Sequence, residues 1–201
     1  VIAALVIIGQ LFGALIFDLP VTPHGPQLDM SKFTLVWSDE FDRSGLPDPA
    51  KWSHEYGFIC NHELQFYTKN RKKNCRVRDG KLIIQARKEK FKNPDYDPSS
   101  PEWQRSRKHA EYTSASLITR GKAEWTYGRI EVRAKLPTGR GTWPAAWMLG
   151  SNFGDTPWPD CGEIDIMENV GYDPDTIHAN IHTKSYNHVL QTNKGAKLVV
   201  P

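Results

Sequence analysis

Cysteine is scarce in this 201-residue chain. Cys60, Cys75 and Cys161 are the only three, too few for a disulfide scaffold, and no CxxC or His/Cys spacing marks a metal site. Cysteine chemistry is therefore not the business of the sequence, although an exported protein could pair Cys60 with Cys75 and leave Cys161 free. Charge of one sign is also lacking. The formal net charge is +3, too small to argue for a nucleic-acid partner. Internal repeats are absent, and after residue 30 no stretch sustains a 3.6-residue apolar period, which excludes a helical bundle.

Long apolar runs are missing except at one place. Residues 1–17 (VIAALVIIGQLFGALIF) are almost wholly apolar, about the length of a short membrane span or an extended signal-peptide apolar region. No Met and no basic segment precedes them, so the chain reads as beginning inside a longer reading frame. Residues 18–30 read as a linker and residues 31–201 as one domain. Export follows from this pattern, with the apolar segment either removed or kept as a membrane anchor.

Aromatic residues are plentiful: seven Trp, seven Tyr and eight Phe. Rings at that density fill a β-rich core, and a share of them suits a sugar-binding cleft, where a ring face meets the C–H face of a pyranose. Two basic patches, Lys69 to Arg78 and Arg105 to Lys108, read first as solvated loops. An anionic polysaccharide is the alternative.

The segments after the linker read as strands. Phe33 to Trp37 is a short β-branched and aromatic run. Asp79-Gly80 is a turn signal between two strand-like stretches in residues 76–86, a hairpin cue. Ser114 to Thr119, Tyr127 to Leu136, Thr142 to Leu149, Gly162 to Glu168 and Thr176 to His182 follow. In the second of these Ile130, Val132, Ala134 and Leu136 alternate with charged residues at period two. Residues 89–111, polar and proline-bearing, read as a long loop. Many short strands with frequent turns predict an all-β antiparallel sandwich or jelly roll.

The segment Gly162 to Asn169 carries three acids in six residues, alternating with apolar ones. On a helix Glu163 and Glu168 would stand about 140° apart. In a regular strand Glu163 and Asp165 share a face while Glu168 points away, and one bulged residue near Met167 returns Glu168 to the acidic face. Glycosidic bond cleavage with retention gives such a stack a purpose: two carboxyl groups about 5–5.5 Å apart, one attacking the anomeric carbon and one protonating the leaving oxygen. Asp165, lying between them, would raise the proton affinity of both and hydrogen-bond the nucleophile. A calcium site and a plain solvated acidic strand stay open on these residues alone.

Taken together, several motifs resemble glycoside hydrolase family 16, and its laminarinase-like branch most. Glu163-Ile164-Asp165-Ile166-Met167-Glu168 is similar to the family's E-x-D-x-x-E signature in its bulged form. Residues 37–41 (WSDEF), 61–68 (NHELQFYT), 128–137 (GRIEVRAKLP) and 141–150 (GTWPAAWMLG) resemble its other segments, in order. The resemblance implies a jelly-roll sandwich of two curved antiparallel, concanavalin A-like sheets and retaining endo-hydrolysis of β-1,3-linked or mixed-linkage glucan. It implies Glu163 as nucleophile, Asp165 as its supporting acid and Glu168 as general acid/base. Asn61, Trp143, Trp147 and His182 fall at positions near the cleft and are the expected sugar contacts, with Trp147 and His182 equally readable as structural.

The implied partner is a polysaccharide alone, met by a secreted monomer without nucleic acid, and touching a membrane only through the N-terminal segment. No cofactor is required, and a structural calcium ion is allowed for without assigned ligands. Hydrolysis of a β-linked galactan such as agarose or carrageenan, and non-catalytic β-glucan recognition, are the alternatives. Family domains continue for several strands past the acidic motif, so the resemblance also implies a domain truncated at its C-terminus.

Overall fold

The computed structural model describes residues 2–3 and 29–200. Apart from residues 2–3, the apolar N-terminal segment and most of the linker lie outside them. Among the described residues are twelve strands, one short α-helix and a 3-10 turn at Met30–Lys32. In order, the first strands are β1 (Ile2–Ala3), β2 (Ser53–His54), β3 (Gln65–Tyr67), β4 (Cys75–Arg78), β5 (Lys81–Ile84) and β6 (Arg87–Lys92). Then come α1 (Trp103–Ser106), β7 (His109–Ser114), β8 (Leu117–Ile118), β9 (Ala145–Leu149), β10 (Glu163–Val170), β11 (Asp173–His182) and β12 (Lys194–Val199).

The largest sheet is five-stranded and antiparallel, in the order β1-β9-β10-β11-β12. Smaller ladders join β3-β7-β6, β4-β5 and β2-β8. The fold is all-β, as expected, but the described strands assort into one large sheet and three small ladders rather than two closed sheets. One pairing also departs from the antiparallel pattern. β3 runs parallel to β7, Gln65 opposite Tyr112, and the intervening β4, β5 and β6 supply the long crossover that a parallel pair needs.

The hairpin forms where Asp79-Gly80 predicts it. Both residues take positive φ, +52° and +65°, the twist that suits a two-residue hairpin turn, and Cys75 to Arg78 pair with Ile84 to Lys81. Its inner face feeds the main core of Phe41, Trp52, Cys75, Val77, Leu82, Ala115 and Leu117. Trp37, Trp125 and Met148 of β9 pack on that core, which ties the hairpin to the five-stranded sheet. Asp39 anchors the same region, accepting hydrogen bonds from Trp52 Nε1 (2.7 Å) and from the Phe41 amide (3.1 Å).

Three expectations are corrected. Residues 33–37 and 127–136 form no strand and belong to none of the described sheets. In the second stretch Ile130, Val132, Ala134 and Leu136 are half-buried and the residues between them exposed. Period two reports which face is covered, whereas a sheet also needs ladder hydrogen bonds. The long loop expected over residues 89–111 is a hairpin with a 93–108 connection, because β6 pairs antiparallel with β7 from Arg87–Thr113 to Lys92–His109. Its strand character was hidden because Arg87 and Glu89 sit on the inward-facing side. Glu89 is matched there by Arg71 (2.5 and 3.1 Å) and by the Thr113 hydroxyl, which together hold its carboxyl at about 2. Finally, all three cysteines are free thiols: Cys75 is buried inside the core while Cys60 sits on an exposed turn, so they do not pair.

Some of the basic residues serve the fold. Besides Arg71, Arg76 donates to Gln85 Oε1 (3.1 Å), and Arg107 donates to the carbonyls of Glu63 (2.5 Å) and His62 (3.1 Å).

Asn74 is the polar hub of this half. It is fully buried, donates to the Gln85 carbonyl (3.0 Å) and Thr113 Oγ1 (2.9 Å), and accepts from Thr68 Oγ1 (3.0 Å) and Arg71 Nη1 (2.7 Å). Its amide is fully satisfied, so truncation strands several buried partners at once. Asn74→Ala is expected to destabilise by about 3 kcal/mol, read as a lowered midpoint in denaturant melts. A change below about 0.5 kcal/mol would contradict the hub role.

Candidate active site

The acidic motif becomes β10, the middle strand of the five-stranded sheet. Glu163 pairs across with Leu149 of β9 and His182 of β11, and Asp165 with Trp147 and Asn180. The register then slips. On the β11 side Glu168 meets His178, three residues along β10 for two along β11, and on the β9 side Met167 meets Ala146. Ile166 and Met167 thus form the bulge that the alternation requires. Residues directly opposite in an antiparallel pair share a face. Glu163, Asp165, Glu168, Trp147, Asn180 and His182 accordingly line one side of the sheet. Gly162, with φ at +79°, turns the chain into β10 immediately before Glu163 in a conformation that favours glycine.

Each carboxylate has its own partners. Trp158 Nε1 donates to Glu163 Oε2 at 2.6 Å. Trp143 Nε1 donates to Glu168 Oε1 at 2.9 Å, and Asn180 Nδ2 to Glu168 Oε2 at 3.2 Å. Asn180 is held in turn by Asn193 Nδ2, 3.1 Å from its Oδ1. Gly195 lets β12 approach this point, since a Cβ there would stand 2.3 Å from Asn180 Oδ1. Asp165 is buried, and His182 Nε2 lies 3.2 Å from its Oδ2. That contact has ion-pair distance without hydrogen-bond alignment, which leaves Asp165 Oδ2 buried without a hydrogen-bond partner; His182 Nδ1, on the other side of the ring, is also buried without one.

Electrostatics follow from this packing. Burial pushes Glu163 up to about 7, and the hydrogen bond and negative charge of Asp165 add to the rise against the Trp158 hydrogen bond. Burial likewise lifts Asp165 to about 6; its hydrogen bond with Glu163 opposes the shift and the charge of Glu168 adds to it. Two carboxyl groups with raised proton affinity and a shared hydrogen bond titrate as one pair, holding a proton between them near neutrality. Glu163, Asp165 and His182 also offer three ligand atoms within 4.8 Å of one another. One nitrogen and two oxygens suit zinc better than the oxygen cage that calcium takes.

The sequence-predicted sugar contacts separate into groups. Trp143 is exposed at the edge of the row and touches Glu168. Trp147 is half-buried on the same face as Asp165. His182 is buried beside Asp165. Asn61 lies on the exposed 60–63 turn with φ at +52°, and among the described residues it makes no hydrogen bond to the three carboxylates. Trp158, Asn180 and His188 were missed by sequence reasoning. Asn180 had a signal, standing two residues before His182 on one strand face. Trp158 sits in a proline-bracketed turn that reads only as a boundary.

Residues 62–198 match the model of glycosyl hydrolases family 16. A β-glucanase of Rhodothermus marinus is 54% identical over 171 residues, covering 83% of this chain and 54% of the relative. The crystal structure of the laminarinase from Rhodothermus marinus superposes with a TM-score of 0.71 at 53% identity, over 83% of this chain and 62% of that one. The crystal structure of SCLam, a non-specific endo-β-1,3(4)-glucanase from family GH16, superposes at 0.74 with 44% identity, over 88% and 63%. The chain thus spans about half the length of the curated relative and under two thirds of each solved structure. The family match over two thirds of the residues, the jelly-roll class of its structural neighbours and the carboxylate row agree: this chain belongs to glycosyl hydrolases family 16.

Proposed function

We propose that the protein is a retaining endo-β-1,3-glucanase of laminarinase type, acting also on mixed-linkage glucan. The observation that carries this reading is the row of Glu163, Asp165 and Glu168 brought onto one face by the β10 bulge. Similarity to the Rhodothermus marinus β-glucanase supports the choice of glucan. Glu163 attacks C1 of the sugar while Glu168 protonates the departing oxygen, and Glu168 then deprotonates a water that releases the product. Attack requires Glu163 ionised, so the proton shared with Asp165 must rest on Asp165. The two groups, at about 7 and about 6, are close enough for it to cross. Trp158 steadies Glu163 as an anion by donating to Oε2. Trp143 and Trp147 offer ring faces for sugars, with Asn61 and His182 as further polar contacts. A polymer too large to cross a membrane must be met outside the cell, which fits the apolar N-terminal segment as an export signal or anchor. No helix among the described residues is long and apolar enough to cross a membrane.

Reducing-sugar release by the full-length protein from β-1,3-glucan, mixed-linkage glucan, agarose and carrageenan tests the reading. Release from β-1,3-glucan is expected, falling on the order of 10⁴-fold in Glu163→Gln. Release from a galactan alone would overturn the substrate, and binding without release would overturn the enzyme. The pH profile of kcat/KM should lose activity as pH falls through about 6, where the Glu163–Asp165 pair takes up its second proton. An acid limb below pH 5 would contradict that coupling.

Stability gives an independent check. Folding raises the proton affinity of Glu163 from 4.5 to about 7, so its contribution is complete below pH 4.5 and is lost as pH rises through about 7. The Glu163→Gln protein does not suffer that loss. Its Tm relative to wild type is expected to climb between pH 4.5 and about 8, and a difference that stays constant across this range would refute the burial argument.

A further inference from the structure

The loop between β11 and β12, residues 183–193, leaves the sheet immediately after His182 and is organised around one buried side chain. Asn187 Nδ2 donates to the carbonyls of Thr183 (3.1 Å) and Lys184 (3.3 Å), while its Oδ1 accepts from the Leu190 amide (3.0 Å). Its own amide donates to Thr192 Oγ1 (3.2 Å), whose hydroxyl donates to the Ser185 carbonyl (2.9 Å). Asn187 is 2% exposed. A loop tied this often through one amide presents the following residue, His188, in a fixed place.

His188 meets both neighbours of the Glu163–Asp165 pair. Its ring lies 4.9 Å from the Trp158 ring at 31°, close to stacking, and 5.2 Å from the His182 ring, edge-on at 83°. Trp158 is the donor to Glu163, and His182 is the residue against Asp165. Trp158 belongs to neither hydrophobic cluster, and its ring partners among the described residues are these two histidines. The indole stands on a turn, half-buried, and these two rings together with its hydrogen bond to Glu163 are the contacts that can orient it. The second link between the two loops is Lys184 Nζ to Asp160 Oδ2 at 2.9 Å, with the lysine largely exposed. An exposed pair of this kind holds little by itself.

We infer that His188 is a positioning residue for Glu163, acting through Trp158: its ring packs the indole so that Nε1 points at the carboxylate. The kinetic consequence rests on Glu163 being the nucleophile of the proposed hydrolysis, whereas the geometric one does not. Loss of the ring frees the indole to turn, which removes the 2.6 Å hydrogen bond and loosens the attacking oxygen.

The test uses the full-length protein with His188→Ala, His188→Phe and Lys184→Ala. His188→Ala is expected to lower kcat about tenfold with KM within about twofold, while His188→Phe, which keeps a flat ring, recovers most of the loss. Lys184→Ala should stay within about twofold of wild type. In parallel, the Trp158 indole N–H resonance, assigned with Trp158→Phe, should lie downfield and exchange slowly with water in wild type. It should move upfield and exchange faster in His188→Ala.

A loss confined to KM would make His188 a sugar contact instead. A Phe variant as poor as Ala, or a Lys184→Ala variant as poor as His188→Ala, would also overturn the inference. So would an N–H resonance unmoved by His188→Ala. If the wild-type protein cleaves none of the glucans, the proposed function falls, and the resonance alone still decides the positioning role.

Discussion

Glu163 and Asp165 share one strand face, Asp165 buried and Glu163 half-buried, and Glu163 cannot ionise without a penalty from burial and from Asp165. Burial pushes both carboxyls upward, to about 7 and about 6; Asp165 adds to the rise of Glu163, and the charge of Glu168 adds to that of Asp165. The rest of the site can be understood as the answer to that constraint. An indole N–H compensates Glu163, an imidazole stands against Asp165, and an indole and an amide share Glu168. Left in a flat strand, Glu168 would lie on the opposite face, where it could neither feel this charge nor act with it.

The bulge is what makes the third acid part of the group. One extra residue between Asp165 and Glu168 shifts the register of β10 against both β9 and β11 and re-aims Glu168. β11 then contributes His182, Asn180 and His178 opposite the three acids in turn. β9 contributes Trp147 to the same face and Met148 to the core beneath. One strand pair therefore couples the chemistry above the sheet to the packing below it. In the other half of the chain, Asn74 and the Arg71–Glu89 pair do for the small ladders what apolar contacts do for the main core.

Much of this was legible in the residues. The carboxylate row, the need for a bulge, the Asp79-Gly80 turn and the all-β class follow from local alternation and turn chemistry, which act over a few residues. Strand assignment failed where polarity misled. Residues 89–92, the part of β6 inside the expected loop, look solvated because Arg71, distant in sequence, neutralises Glu89 on the inner face. It failed in the other direction at residues 127–136, where the alternation is real and burial follows it, yet the stretch joins no described ladder. The Cys60–Cys75 pairing allowed by cysteine count did not survive, because one thiol faces the core and the other lies on an exposed turn.

The sequence by itself determined which groups could do the chemistry: three acids at a spacing that only a bulged strand brings together, followed by His182 on a later strand. Their ordering along one segment makes this a local property of backbone geometry. Only the tertiary structure decided which donor serves which acid. Trp158, Asn180 and His188 come from a turn, a neighbouring strand and the loop beyond it, and their meeting at β10 is set by pairing register and loop packing. Register is fixed by long-range burial and hydrogen bonding, which no short window of residues encodes.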